Sequence, residues 1–242
     1  MTGAGNFGYA AGVDATAHVF VDSLADHITI SGDDGHHLAR VRRVEVGECI
    51  TAADGTGDWR PYVVRERGRA TLEMDAQADR CTEPRPQRER AIAFALTKGD
   101  GPERVVAGCT ELGVDELIPL ITDRTVVRAA TARAENFAAR LVRVAREAAM
   151  QARRARLPVV APVASVDELL DRPGLMVASW GASPALATPG DGPRCIAVGP
   201  EGGFSPRELE ALADVAQLGL GPFVLRATTA ALAAAAHSVS HS

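Results

Sequence analysis

The run Val198-Gly199-Pro200-Glu201-Gly202-Gly203 sets three glycines, a proline and a carboxylate within five positions. Before it stands RCIAV, a short apolar run of the kind that forms a buried strand. After it Ser205-Pro206-Arg207-Glu208 spells a helix start, with a Ser cap, Pro at the first helical position and Glu three residues past the cap. Open α/β sheets hold ligands in such strand–turn–helix loops, beyond the carboxyl ends of the strands. Glycine lets the backbone come close to a ligand and adopt positive φ. Pro200 stiffens the turn, and Glu201 adds a carboxylate or an orienting acceptor. A tight strand–helix turn would call for the same glycines, so the pattern alone fits a ligand loop and a plain turn equally. No GK[ST] follows, which excludes a phosphate-cradling Walker loop. The negative Glu201 disfavours a phosphate ligand and tolerates a cationic one such as a sulfonium.

The second chemical signal is basic. Residues 124–156 hold nine arginines against Glu135 and Glu147, and a smaller cluster runs His36, His37, Arg40, Arg42, Arg43. The net charge is nonetheless −5, so the acidic residues gather elsewhere. Lys98 is the only lysine. Guanidinium groups suit phosphate contacts and stacking on bases, which makes Arg140, Arg143, Arg146, Arg153, Arg154 and Arg156 candidates for tracking an RNA backbone. A solvated helix face is the competing reading. His36 and His37 fit packing or RNA contact better than catalysis. Cys49, Cys81, Cys109 and Cys195 stand alone, without CxxC or Cys/His spacing, which implies no metal and suits a reducing cytoplasm.

These groups need a scaffold, and 242 residues suffice for one large domain or two modest ones. No apolar run approaches the roughly 18–20 residues of a membrane span. Residues 1–16 are small and aperiodic and read as a flexible leader; their GxGxxG at Gly3–Gly8 lacks the strand that a dinucleotide loop requires. Residues 17–80 carry five or so short alternating runs broken by Gly and Asp, the pattern of a small β-barrel. Residues 81–90 are polar with two prolines and read as a linker. From 91 to 242 strands and helices alternate, which predicts an α/β domain with a mostly parallel sheet. A helix over 132–155 carries Phe137, Leu141, Val144, Ala145 and Ala148 at spacings of three and four, with Pro158 marking its end. A helix from Ser205 through Ala216, a last strand in LGPFVLR and a last helix over 229–239 complete the domain.

Taken in order, GPEGGFSPRE, then LG…VLRATTAA, together with HHLARVRRVEVGE, ALTKGD, TELGV and REAAMQARRARLP, resemble the ribosomal RNA small subunit methyltransferase E family of the SPOUT superfamily. The resemblance covers about residues 18–236. It implies an N-terminal PUA-like β-barrel for RNA and a C-terminal α/β domain with a deep trefoil knot. It also implies S-adenosylmethionine as cofactor, a homodimer joined through the C-terminal domain, and N3-methylation of a uridine in the decoding region of 16S rRNA, met as free RNA or in the 30S subunit. The alternatives are another RNA such as tRNA, or a non-catalytic RNA-binding assembly factor.

Carried over by resemblance, Val198, Gly199, Pro200, Gly202, Gly203, Leu218, Gly219, Leu225, Thr228 and Ala230 hold the cofactor. His36, His37, Arg40, Arg43, Lys98, Arg153 and Arg154 meet RNA. Uridine N3 carries a proton that must leave before methylation, so the enzyme needs a base or donors that stabilise the uracil anion. Arg226 is the candidate for the anion, against a strand-end salt bridge. Glu201 is a candidate base or loop-ordering group, and Thr229 a hydrogen-bonding group or a helix cap. The chain departs from the family at Thr228, where a glutamate is usual, and at Gly108, where a basic residue is common.

Overall fold

The computed structural model describes residues 10–125, 131–183 and 194–240. The Gly3–Gly8 motif, most of the expected leader and Arg128 lie outside them. The chain divides into two compact units, residues 1–85 with 149–157, and residues 86–148 with 158–242.

In the first unit the alternating runs become β1 (Ala17–Phe20), β2 (His27–Ile30), β3 (Cys49–Ala53), β4 (Asp58–Arg67), β5 (Leu72–Ala76) and β6 (Cys81–Thr82). They form one sheet in the order β1-β3-β4-β5-β2, with β6 paired to β4. Every second residue faces one core: Ile50 and Ala52, Tyr62 and Val64, Leu72 and Met74. The other side buries Phe20, Ala53 and Trp59 against Ala10, Ala149 and Ala155. Residues 10–16 are thus packed rather than trailing: Ala10 is fully buried, and the Thr16 N–H donates to the Cys49 carbonyl. Part of the polar 81–90 stretch is likewise built in. Cys81 and Thr82 pair with Trp59 and Asp58, and the buried Glu83 carboxylate accepts the Ala155 N–H at 2.6 Å. Helix α1 (Gly32–His36) continues as a π-helical turn over His37–Arg42, and Arg43 at φ 55° ends it.

The second unit contains β7 (Arg90–Ala95), α2 (Gly101–Glu111), β8 (Glu116–Ile121), most of α3 (Thr131–Ala152), β9 (Val159–Val160), β10 (Ala164–Ser165), β11 (Leu175–Ala178), β12 (Arg194–Val198), α4 (Pro206–Ala211), β13 (Ala216–Leu218) and α5 (Ala227–Ser240). The sheet runs β10-β8-β7-β12-β11-β13 with β9 on β8, and every ladder is parallel. Parallel strands buried on both faces need helices on both sides. Ile92, Phe94, Ile196 and Val198 point to a core shared with α2, α3 and α5. Ala91, Ala93, Cys195 and Ala197 point to the opposite core, with Phe204 and Leu212. At the amino ends, Arg90 pairs with Asp115 at 3.0 Å and Arg172 with Glu116 at 2.7 Å.

Three elements differ from expectation. Helix α3 stops at Ala152, six residues before Pro158, because Arg153 turns left-handed at φ 56°. Helix α4 stops at Ala211, short of Ala216. LGPFVLR is not a strand: β13 lies just before it, where Ala216–Leu218 pair with Met176–Ala178. Gly221 at φ 135° and Pro222, which has no N–H, then break the ladder and leave 219–226 as a loop.

Candidate active site

Three loops leave the carboxyl ends of β12, β11 and β13, and they enclose a cleft of about 250 Å³. The first is the glycine loop. The Gly203 N–H closes a turn onto the Pro200 carbonyl at 2.8 Å, with Gly203 at φ 70°. Ser205 then starts α4 with a complete capping box: its hydroxyl accepts the Glu208 N–H, and Glu208 Oε2 accepts the Ser205 N–H at 2.8 Å. The second and third loops are tied to each other. The Ser179 N–H donates to Leu218, the Gly219 N–H to Ser183, and the Trp180 indole to the Pro222 carbonyl at 3.2 Å. A side chain at Gly219 would run into the Ala182 carbonyl oxygen, so glycine is required there.

Of the expected cofactor residues, Val198, Gly199, Pro200, Gly203, Leu225 and Ala230 line the cleft. Leu218 is fully buried and, with Gly219, joins loop to loop beside it. The walls are mostly apolar, and among the described residues Glu201 is their only charged group. A cleft lined by glycine backbone, Phe204, Leu225 and one carboxylate fits a ligand with a flat apolar part and a cationic centre.

A second, more polar basin of about 620 Å³ adjoins it, and Pro200 and Glu201 line both. The basin gathers Arg226, Glu201 and Thr229, the three expected catalytic residues, with Lys98, Gly202 and Thr228. Arg226, Thr228 and Thr229 come from the start of α5, where the Arg226 carbonyl accepts the Ala230 N–H at 2.8 Å. Asp100, Arg104 and Arg124 complete the ionic lining. Four cations thus face two carboxylates, a balance suited to an anionic or oxygen-rich substrate.

The sequence did not single out Asp100, Arg104 or Arg124, nor Trp180 as a cleft residue. Arg124 sits in the turn Thr122–Thr125 after β8 and donates from Nη1 to the Gly202 carbonyl at 2.5 Å. That turn is pinned to α4. The Asp123 N–H donates to Glu208 Oε1 at 2.8 Å, and the Ser205 hydroxyl donates to Asp123 Oδ2 at 2.5 Å. Arg207 bridges Asp123 and Asp167. The Ser205 hydroxyl and then the Arg207 guanidinium hold the Asp123 carboxyl below the usual carboxylate range.

The remaining expected RNA residues belong to the first unit. His36, His37, Arg40 and Arg43 are exposed on α1 and the turn after it. Arg42 Nη2 reaches Gln151 Oε1 at 3.4 Å, which brings this segment beside residues 151–154. Arg153 serves the fold: its guanidinium donates to the Val13 and Ala15 carbonyls. The Arg154 carbonyl accepts from His18 Nε2 at 3.0 Å. Arg156 donates to the Thr56 and Glu83 carbonyls. Arg140 pairs with Glu103 at 2.8 Å and lies over the Phe137 ring, and Arg143 pairs with Glu147. Much of the arginine run therefore has partners within the chain. Among the described residues, no group of three or more His, Cys, Asp or Glu side chains could hold a metal ion, and no helix is long and apolar enough to cross a membrane.

Comparison with known proteins defines the class. Residues 83–238 match the model of an RNA methyltransferase domain, and residues 30–74 that of an RNA methyltransferase PUA domain. The ribosomal RNA small subunit methyltransferase E of Mycobacterium bovis is 35% identical over 231 residues, covering 89% of this chain and 88% of that one. The protein of the same name from Synechocystis is 32% identical over 218 residues, covering 84% and 69%. The crystal structure of the Neisseria gonorrhoeae ribosomal RNA small subunit methyltransferase E bound to S-adenosyl methionine superposes with a TM-score of 0.81 at 25% identity, covering 93% of this chain and 97% of that one. The chain belongs to the ribosomal RNA small subunit methyltransferase E family.

Proposed function

We propose that the protein transfers a methyl group from S-adenosylmethionine to N3 of one uridine in the decoding region of 16S rRNA. The observation that carries this reading is the pair of adjoining cavities sharing Pro200 and Glu201: one apolar with a single carboxylate, the other polar and rich in cations. When bound, S-adenosylmethionine supplies a methyl group already activated on a sulfonium. The chain then has three tasks. The glycine loop and the 219–226 loop hold the cofactor largely by backbone and apolar contact. Glu201, on the wall common to both cavities, would offset the positive charge of the cofactor and receive the N3 proton, directly or through water. Arg226 donates to the uracil oxygens as negative charge builds on the ring. Positioning supplies much of the remaining rate.

In this reading His36, His37, Arg40, Arg43 and Arg154 of the first unit, and Lys98 in the basin, meet the RNA backbone. The protein acts in the cytoplasm as a homodimer joined through the second unit, for which exposed Trp180, Phe223 and Val224 at the cleft rim offer apolar surface. The test is incubation with methyl-labelled S-adenosylmethionine and either naked 16S rRNA or small subunits, followed by nucleoside mass spectrometry mapped to position. N3-methyluridine at one 16S site is expected, and none with Arg226→Ala, which still folds. Label in tRNA alone, or cofactor binding without any transfer, would overturn the reading. Undiminished transfer by Arg226→Ala would remove that residue's role.

A further inference from the structure

We infer that Arg124 is a positioning residue that sets the glycine loop for the cofactor, an inference resting on the reading of the cleft given above. Gly202 stands between Glu201, which lines both cavities, and Gly203, which lines the cleft. Its carbonyl points at Arg124 Nη1, and within the loop the Gly203 N–H bonds to the Pro200 carbonyl. Three glycines in five residues have no conformational preference strong enough to fix the loop by themselves. An external donor on a carbonyl at the apex of such a loop removes that freedom.

The donor is itself held. Arg124 lies in a turn closed by Thr122 N–H and hydroxyl bonds to Thr125 Oγ1, both at 2.9 Å. The neighbouring Asp123 is fixed by Glu208, Ser205 and Arg207. Glu208 is buried and serves the α4 cap and the Asp123 amide with its two oxygens, so the turn and the far end of the glycine loop share one anchor. Arg124 is therefore braced from the same helix start that terminates the loop it holds. Its position in the basin wall also places it where an arriving substrate would meet the strut of the cofactor loop.

The inference predicts that removing Arg124 loosens residues 199–203 and weakens cofactor binding measured in the absence of RNA. The experiment compares the wild type, Arg124→Ala and Arg124→Lys. Hydrogen exchange of the cofactor-free proteins should show faster exchange at Gly202 and Gly203 in Arg124→Ala, with Arg124→Lys near wild type because an ammonium can still donate one bond. Calorimetry with S-adenosylmethionine should show affinity lowered by about three- to tenfold in Arg124→Ala, the scale of one missing hydrogen bond, and largely restored in Arg124→Lys. Unchanged exchange and unchanged cofactor affinity in Arg124→Ala would overturn the inference. So would a defect confined to RNA affinity and its salt dependence. A wild-type protein that binds no cofactor would instead overturn the reading of the cleft, whereas the exchange comparison judges the brace by itself.

Discussion

The Glu208 carboxylate accepts the backbone N–H of Asp123 at 2.8 Å across 85 positions of sequence. Its other oxygen completes the capping box on Ser205. One buried side chain thus satisfies two backbone amides, of which the Ser205 amide is buried. Glu208→Ala should cost about 2–4 kcal/mol, combining a missing cap with an orphaned buried donor. Urea unfolding measures it; a drop under about 0.5 kcal/mol, the range of an ordinary surface substitution, would show that the two amides find other partners.

Trp180 is 69% exposed on the cleft wall, while Trp59 is buried in the first unit. S-adenosylmethionine should therefore change tryptophan emission through Trp180 alone. The change should vanish in Trp180→Phe. Persistence of the signal in that variant would place the cofactor elsewhere.

Arg40 and Arg43 stand exposed on the turn after α1. Replacing both with glutamine should weaken RNA binding at low salt and reduce the salt slope by about 0.7–0.9 for each phosphate that is no longer neutralised. Filter binding across a salt series reads this directly. An unchanged slope would assign the pair to solvent.

His18 adds a pH dependence. Its Nε2 donates to the Arg154 carbonyl, which can only accept, so Nδ1 takes the Thr51 hydroxyl proton at 2.8 Å. Burial, reinforced by the Arg153 charge and opposed by the Arg154 carbonyl, lowers its pKa from 6.5 to about 4. The unfolded chain then binds a proton across that window and the native state does not, so stability is full above pH 6.5 and falls as pH drops towards 4. The decrease is at most about 3 kcal/mol. Denaturant unfolding at pH 7.5 and 4.5 should show a larger drop for wild type than for His18→Gln, since the carboxylates titrate in both. Equal drops would contradict the assignment.

Much of this architecture was legible in the residues. The five longer strands of the first unit announce themselves by alternation between Gly and Asp turns, and Ser205, Pro206 and Glu208 spell the start of α4 by residue type alone. The failures share a cause. Phe223, Val224 and Leu225 look like a strand because they are apolar, yet Phe223 and Val224 are 78% exposed on a loop that lines the cleft. Their hydrophobicity is not spent on the core. The true strand beside them has three residues, too few for any period to register. Pro158 marks a break in the chain, but the helix had already ended at Arg153, whose positive φ is fixed by tertiary bonds to Val13 and Ala15. Arg124 carried no local signal. Its importance rests on Gly202, some eighty residues away, and such pairings exist only once the sheet is assembled.

The pairing of β7 with β12 carries a consequence for how the protein is made. Arg90 lies beside Arg194 in that ladder, so a central strand waits for a neighbour about a hundred residues downstream. On the ribosome, β7 and β8 emerge with an open edge of unpaired amides and carbonyls, while α3 and the strands after it are still being synthesised. Only when β12 slides into place are both cavities formed, because both take a wall from the residues that follow it. Active enzyme is thus unavailable to a nascent chain, and a stall before residue 198 would leave an aggregation-prone half-sheet rather than a slow catalyst.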